Sequence, residues 1–399
     1  DDWGCGVNKI LLSLDHKIDQ VNNLSFVVKE KKLTTDYCDT LYPIIESIIY
    51  RTVTNVYLVD YSGQITSEPS NFIIEMKISP AEGNPLLFSM QTQYNTYNDL
   101  YELDIMIADG HEMTSLGQKV KQINIAKKMK DKITSADLFE EALYESCDGV
   151  SYKYAAYNPV QASDTLVVWL HGLGEGGTIN TDPYITVLAN KVSSLAGQEF
   201  QNTIGGANIL VPQCPTFWMD KTGDSLATKF TEADGTSYYC DSLHELINFY
   251  RKETKSEKVI ITGCSNGGYM TMLMALKYGK EYNAYVPICE AFLNEKISDE
   301  EIKQLKKLPI FFIYSRDDDV VAPETHELPT IRRLLGAGAS NVHTFVSKHV
   351  IDTSGRFNDK DGEPLRYSGH WSWIYFFNNE AVSDRCGIRV WQWMAQQLK

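Results

Sequence analysis

Residues 258–272, Lys-Val-Ile-Ile-Thr-Gly263-Cys264-Ser265-Asn266-Gly267-Gly268-Tyr-Met-Thr-Met, run from a β-branched apolar segment through Gly-x-Ser-x-Gly into a stretch with helical spacing. A short, continuously apolar run bounded by glycine reads as a strand buried on both faces, and such strands belong to parallel sheets covered by helices. Ser265 therefore sits on a tight strand-to-helix turn. The positions two residues to either side of it must lack bulk, because strand and helix nearly touch there, and Gly263 and Gly267 meet that need. The first N–H groups of the following helix point toward the serine and favour negative charge beside it. A Gly-rich turn holding an inert serine is the plainer alternative, and the strand–turn–helix context weighs against it.

The same rhythm extends over the second part of the chain. Strands are expected at 166–170, 207–211, 258–262, 284–288, 310–314 and 342–346, separated by helical stretches such as 242–253 and 267–278. This is α/β patterning. Before residue 135 the pattern differs. Strand-like segments at 8–15, 24–29, 51–60, 72–78, 86–91 and 100–107 are divided by turn residues such as Ser62-Gly63 and Glu82-Gly83-Asn84-Pro85, which predicts a small all-β sandwich. A short helix is expected at 136–144. Two domains result, 1–135 and 136–399, in keeping with 399 residues.

Composition narrows the function classes. Apolar residues make up 43% and charged residues 22%, ordinary globular usage. With 37 Lys+Arg against 52 Asp+Glu, the net charge of −15 would repel nucleic-acid backbones and anionic lipid surfaces. The one basic run, 127–132, reads as a solvated helix face. No apolar run reaches the roughly 18 residues that span a bilayer, so neither nucleic acid nor membrane is an expected partner. Eight Cys are too dilute for a disulfide scaffold, no C-x-x-C pair suggests metal or redox chemistry, and no metal or cofactor is expected. His16 and His111 stand alone and read as surface residues.

A serine that attacks an acyl carbon needs donors for the oxyanion that forms. One is the N–H of the next residue, Asn266. The second is expected from the loop that follows the strand at 166–170, His171-Gly172-Leu173-Gly174-Glu-Gly-Gly177, and is assigned to the N–H of Leu173. The Gly-rich nucleotide-binding patterns are absent from this loop. The serine also needs a base, and the base an orienting carboxylate. The strand at 310–314 runs into Asp317-Asp318-Asp319; Asp318 is favoured by its distance from the strand end, with Asp317 as the alternative. For the base, His370 in Gly369-His370-Trp371-Ser-Trp373 is preferred over His349. A loop His after glycine is free to reach across the sheet edge, whereas a His at a strand end is committed to one face.

The set His171-Gly172-Leu173-Gly174, Val211-Pro212-Gln213-Cys214-Pro215 with Trp218, Gly263-Cys-Ser265-Asn-Gly267-Gly268, Asp318 and Gly369-His370-Trp371 resembles bacterial α/β-hydrolases of the esterase group. These include carboxylesterases, feruloyl-esterase-like and polyhydroxybutyrate-depolymerase-like proteins, and prolyl-oligopeptidase-like proteins. The two-part plan is similar to carboxylesterases with an immunoglobulin-like N-terminal domain. The resemblance implies an α/β-hydrolase fold, a mostly parallel sheet with helices on both faces, and a Ser265–Asp318–His370 triad with backbone donors at Leu173 and Asn266. Tyr314-Ser315 departs from the His-Gly that many relatives carry before the acid, which leaves the choice among the three Asp open.

The expected activity is hydrolysis of carboxylic esters through an acyl-enzyme on Ser265, with small or carbohydrate-linked feruloyl or acetyl esters as substrates. Gln213, Trp218 and Trp371 are candidate substrate-binding residues, since flat aromatic walls suit an aryl acyl group or a sugar face; core packing is the competing reading for the Trp residues. The segment 347–369, with Phe357 and Tyr367, is the candidate substrate-shaping flap. A serine peptidase of the prolyl-oligopeptidase sort is the alternative activity, although residues 1–135 are too few for the propeller such enzymes carry. A carbohydrate-binding or adhesion protein is a third reading. Secretion and self-association through the N-terminal domain are further expectations.

Overall fold

The computed structural model describes all residues except 22–24, 61–62, 67–70, 127–128, 180 and 225–232. The chain divides into two compact units, essentially Trp3–Thr134 and Ser135–Lys399.

The first unit is built from antiparallel strands. Phe26–Thr35 lies between Ile44–Arg51 and Glu102–Ile107 in one three-stranded sheet; Asn71–Met76 lies between Lys9–Ser13 and Val53–Val59 in another. Alternation decides which side chains turn inward. Phe26, Val28, Phe72, Ile74, Met76 and Ile105 form the core, with the Phe26 and Phe72 rings stacked at 5.0 Å. Glu30 is also buried there, and it is satisfied by Arg51 at 2.8 Å, Lys32 at 2.8 Å and the Tyr101 hydroxyl at 2.8 Å. The expected 24–29 strand extends to Thr35, although residue 24 lies outside the described residues, as does Ser62 of one expected turn. The predicted 51–60 strand starts after a break at Thr52, because Arg51 ends the preceding strand.

The second unit is a mixed eight-stranded sheet. Its strands are β1 (Glu140–Glu145), β2 (Ser151–Tyr157), β3 (Thr165–Leu170), β4 (Asn208–Pro212), β5 (Lys258–Cys264), β6 (Ala284–Ile288), β7 (Ile310–Ser315) and β8 (Val342–Ser347), in the order β1-β2-β4-β3-β5-β6-β7-β8. From β4 onward along this order all neighbours are parallel, and β1–β2 and β2–β4 are antiparallel. Strands β3 to β7 are buried at nearly every position, as their continuous apolar sequences predict. The helices expected at 242–253 and 267–278 occur as Cys240–Thr254 and Asn266–Tyr278.

Two local expectations are corrected. The segment expected as a helix at 136–144 is a single 3-10 turn, Ser135–Leu138, followed by β1. Its residues are good helix formers, but pairing with β2 through a turn at Gly149 (φ +86°) overrides that preference. The basic run at 127–132 forms no helix over its described part; residues 127–128 lie outside the described residues.

Candidate active site

Three loops at the C-terminal ends of β5, β7 and β8 converge. Ser265 follows β5 directly and caps helix Asn266–Tyr278 with φ +55°, ψ −115°, a backbone conformation that L-residues rarely adopt. The turn holds because its neighbours lack side chains. A Cβ on Gly263 would lie 2.5 Å from the Gly267 carbonyl oxygen, and one on Gly267 would overlap the Leu170 carbonyl. The Ser265 N–H donates to Ile288 O on β6 at 2.9 Å.

Asp318 follows β7. Its Oδ1 accepts from the N–H groups of Val320 and Val321, both at 2.9 Å, which fixes the carboxylate and leaves Oδ2 for one further donor. That donor is His370 Nδ1 at 2.8 Å. His370 lies in the 3-10 turn Gly369–Trp371, where the Ser368 hydroxyl accepts from its N–H. A carboxylate can only accept, so Nδ1 carries the proton and Nε2 is left as an acceptor. Nε2 stands 2.9 Å from Ser265 Oγ. Asp318 and His370 are buried and Ser265 is half-buried, so the hydroxyl end of the chain is the one that reaches solvent. The neighbouring thiol of Cys264 is fully buried, and burial pushes its pKa well up; it is no competing nucleophile.

The second expected donor loop lies against this serine. Leu173 opens a 3-10 turn, Leu173–Glu175, and Asn266 opens its helix, so both N–H groups stand at positions without an intrahelical partner. A Cβ on Gly172 would be 4.0 Å from Ser265 Cβ, which brings the start of the loop against the Ser265 turn. His171 pins the loop from beneath. Its Nδ1–H donates to Gly172 O at 2.6 Å and its Nε2 accepts from Cys214 N–H at 2.9 Å, which assigns a neutral ring. Complete burial lowers its pKa to about 4, in agreement.

Of the candidate substrate-binding residues, two belong to this support and not to a substrate surface, which corrects the expectation for them. Gln213 is buried and donates from Nε2 to Glu175 O at 3.0 Å. Trp218 is fully buried, packed at 5.2 Å on His171 and 6.4 Å on Tyr152; its backbone N–H donates to Asn266 Oδ1 at 2.6 Å, tying the loop after β4 to the Ser265 turn. Core packing is the right account of that Trp. Trp371 is half-buried, stacked on Tyr367 at 6.0 Å and near Trp373 at 6.2 Å, and Trp373 lies edge-on to His370 at 5.6 Å. Within 347–369 the chain doubles back through the bridges Ile351–Arg366 and Asn358–Pro364, and Phe357 and Tyr367 are both buried.

Residues 154–334 match the phospholipase/carboxylesterase family model, and residues 1–133 match the esterase Ig-like N-terminal domain. The chain thus joins an α/β-hydrolase domain of the phospholipase/carboxylesterase kind to an esterase Ig-like N-terminal domain. The hydrolase is 28% identical over 196 residues to a probable carboxylesterase SOBER1-like protein of Arabidopsis thaliana, an overlap of 43% of this chain and 67% of that one. A thermostable esterase of known structure is similar over 95% of this chain and 94% of its own, with a TM-score of 0.71 at 23% identity, which shows the shared fold.

Features of the hydrolase that sequence reading did not find are side-chain pairs distant in the chain. Asp317 meets His349 at 2.9 Å. Glu290 and Glu327 are both completely buried, and burial raises the pKa of each well above the ordinary carboxylic acid range. For Glu290 the sequence carries a signal, an acid between the apolar runs 286–289 and 291–293; Glu327, in Glu324-Thr-His-Glu327, carries none. Among the described residues no group of three or more His, Cys, Asp or Glu side chains could hold a metal ion, and all eight Cys are free thiols. No helix among the described residues is long and apolar enough to cross a membrane.

Proposed function

We propose that this hydrolase cleaves carboxylic esters through an acyl-enzyme on Ser265. The observation that carries the reading is the continuous chain Asp318 Oδ2–His370 Nδ1 at 2.8 Å and His370 Nε2–Ser265 Oγ at 2.9 Å. His370 Nε2 takes the proton from Ser265 as Oγ bonds to the ester carbon. The N–H groups of Leu173 and Asn266 receive the oxyanion, and Asp318 stabilises the imidazolium. Collapse of the tetrahedral intermediate breaks the bond to the alcohol oxygen, which leaves with the proton from Nε2. Water then attacks the acyl carbon, giving its proton to Nε2, and Ser265 leaves as a hydroxyl with the free acid as product.

Feruloyl or acetyl esters carried on carbohydrate, and small soluble esters, are the proposed substrates. The half-buried Trp371 beside the His370 turn supports this, because an aromatic face suits an aryl acyl group or the apolar face of a sugar. The peptidase reading draws no support from the family matches, which are to carboxylesterases. The test is a panel of p-nitrophenyl esters, methyl ferulate, acetylated xylan and proline amides, each run on wild type and Ser265→Ala. Turnover of esters that is lost in Ser265→Ala supports the proposal. Turnover of the amides without the esters overturns the substrate class.

A further inference from the structure

Asp317 is not part of the triad, yet its carboxylate ties together the end of β7, the residue after β8 and the approach to His370. Oδ1 accepts from the Ser315 hydroxyl, at the end of β7. Oδ2 accepts from His349 Nδ1, just after β8, and from the Arg366 guanidinium, four residues before His370. The backbone of the same residue is in contact with the His370 loop: a Cβ on Gly369 would overlap the Asp317 carbonyl group, so only glycine allows this approach. The loop that carries His370 is thus fixed to the acid loop at two points, one by charge and one by shape. Burial raises the Asp317 pKa, but the hydrogen bonds from Ser315, His349 and Arg366 together with the Arg366 charge outweigh it and bring it down to about 2.

We infer that Asp317 is a positioning residue for the hydrolase, holding the His370 loop against the Asp318 loop so that Nε2 meets Ser265 Oγ. The inference rests on the proposed triad. Asp318 itself is anchored by Val320 and Val321 and His370 by Ser368, but each of those contacts is local to one loop; the Asp317 clasp joins the two loops. Small displacements of a reacting group cost rate steeply, on the order of 100-fold per ångström. The effect therefore falls on the chemical step and not on ester binding.

The experiment compares Asp317→Asn, Arg366→Gln and Arg366→Lys with wild type, Asp318→Asn and Ser265→Ala on one p-nitrophenyl ester. Thermal unfolding and the rate of fluorophosphonate labelling are recorded alongside. Asp317→Asn keeps size and loses the charge that holds Arg366; it is expected to lower kcat and labelling rate together by roughly tenfold, with KM within about twofold. Arg366→Gln lowers kcat in the same direction and Arg366→Lys restores part of it. Wild-type kcat and labelling in Asp317→Asn, with Asp318→Asn and Ser265→Ala inactive, overturns the positioning role and leaves the triad standing. Loss of kcat in Asp317→Asn that merely tracks loss of folded protein also overturns it. Full activity in Ser265→Ala instead overturns the triad itself.

Discussion

Asp317 and Asp318 are adjacent in the chain, yet their carboxylates serve different histidines: Asp318 binds His370 at 2.8 Å, and Asp317 binds His349 at 2.9 Å. Successive residues leaving the end of β7 point in different directions, so one acid faces the His370 loop and the other the end of β8 beside it. Both residues of the less favoured sequence alternative, Asp317 and His349, are thereby paired with each other. The division of labour has measurable consequences.

Asp318→Asn is expected to reduce kcat by about 10⁴, because an amide in that position no longer enforces the Nδ1–H form of His370. The loss in Asp317→Asn is smaller by two orders of magnitude or more. Steady-state kinetics on one ester, with circular dichroism to verify folding, checks the ranking. A reversed order would assign the acid to the neighbouring residue.

A backbone donor can be deleted at Leu173. Gly172 is extended (φ −70°, ψ −175°), a conformation compatible with a following proline, and Leu173 is the first residue of its 3-10 turn, where proline is tolerated. Leu173→Pro therefore removes one N–H without opposing the local backbone. The expected loss is about 10² to 10³ in kcat, with little change in KM. A change confined to KM would show that this N–H binds ground state and transition state alike.

Gly267→Ala places a methyl group against the Leu170 and His171 carbonyls, where backbone cannot yield. A destabilisation of about 3 kcal/mol or more is expected from chemical denaturation. Gly336→Ala, at a helical position with open space around it, serves as the control and should be neutral or slightly stabilising.

Stability should depend on pH from both sides. His171 has a folded pKa of about 4 against an ordinary value of 6.5, so the unfolded chain binds its proton first. Its contribution is present above pH 6.5 and is lost as pH falls toward 4, by on the order of 3 kcal/mol. Glu290 and Glu327 act in the opposite sense. Their folded pKa values are raised, so the folded chain retains protons that the unfolded chain releases, and stability declines as pH rises above about 4.5. Denaturation midpoints from pH 4 to 9 should pass through a maximum. In Glu327→Gln, which cannot ionise, the alkaline decline should be shallower, and an unchanged slope would show that this pair does not titrate with unfolding.

Much of the fold was legible because its information is local. Strands β3 to β7 are apolar at consecutive positions and their helices have clear spacing, so periodicity alone marks them. The Ser265 turn was legible because glycines two residues away on both sides have a single steric cause. The segment 136–144 was not, since its helix-forming residues become a strand only through pairing with β2. Trp218 illustrates a different limit. Its position near the Ser265 turn could be foreseen, but whether the ring faced solvent or core depended on Tyr152 and His171, which arrive from other strands. The Asp317–His349–Arg366 clasp and the Glu290–Glu327 pair are likewise contacts between distant segments, with no spacing to reveal them.

The most direct test of the account is mass spectrometry of the protein after brief reaction with a fluorophosphonate and, separately, after acid quenching during turnover of an aryl ester. One adduct is expected in each case, on the peptide containing Ser265, and none in Ser265→Ala. An adduct on any other residue, or undiminished ester turnover by Ser265→Ala, would contradict it.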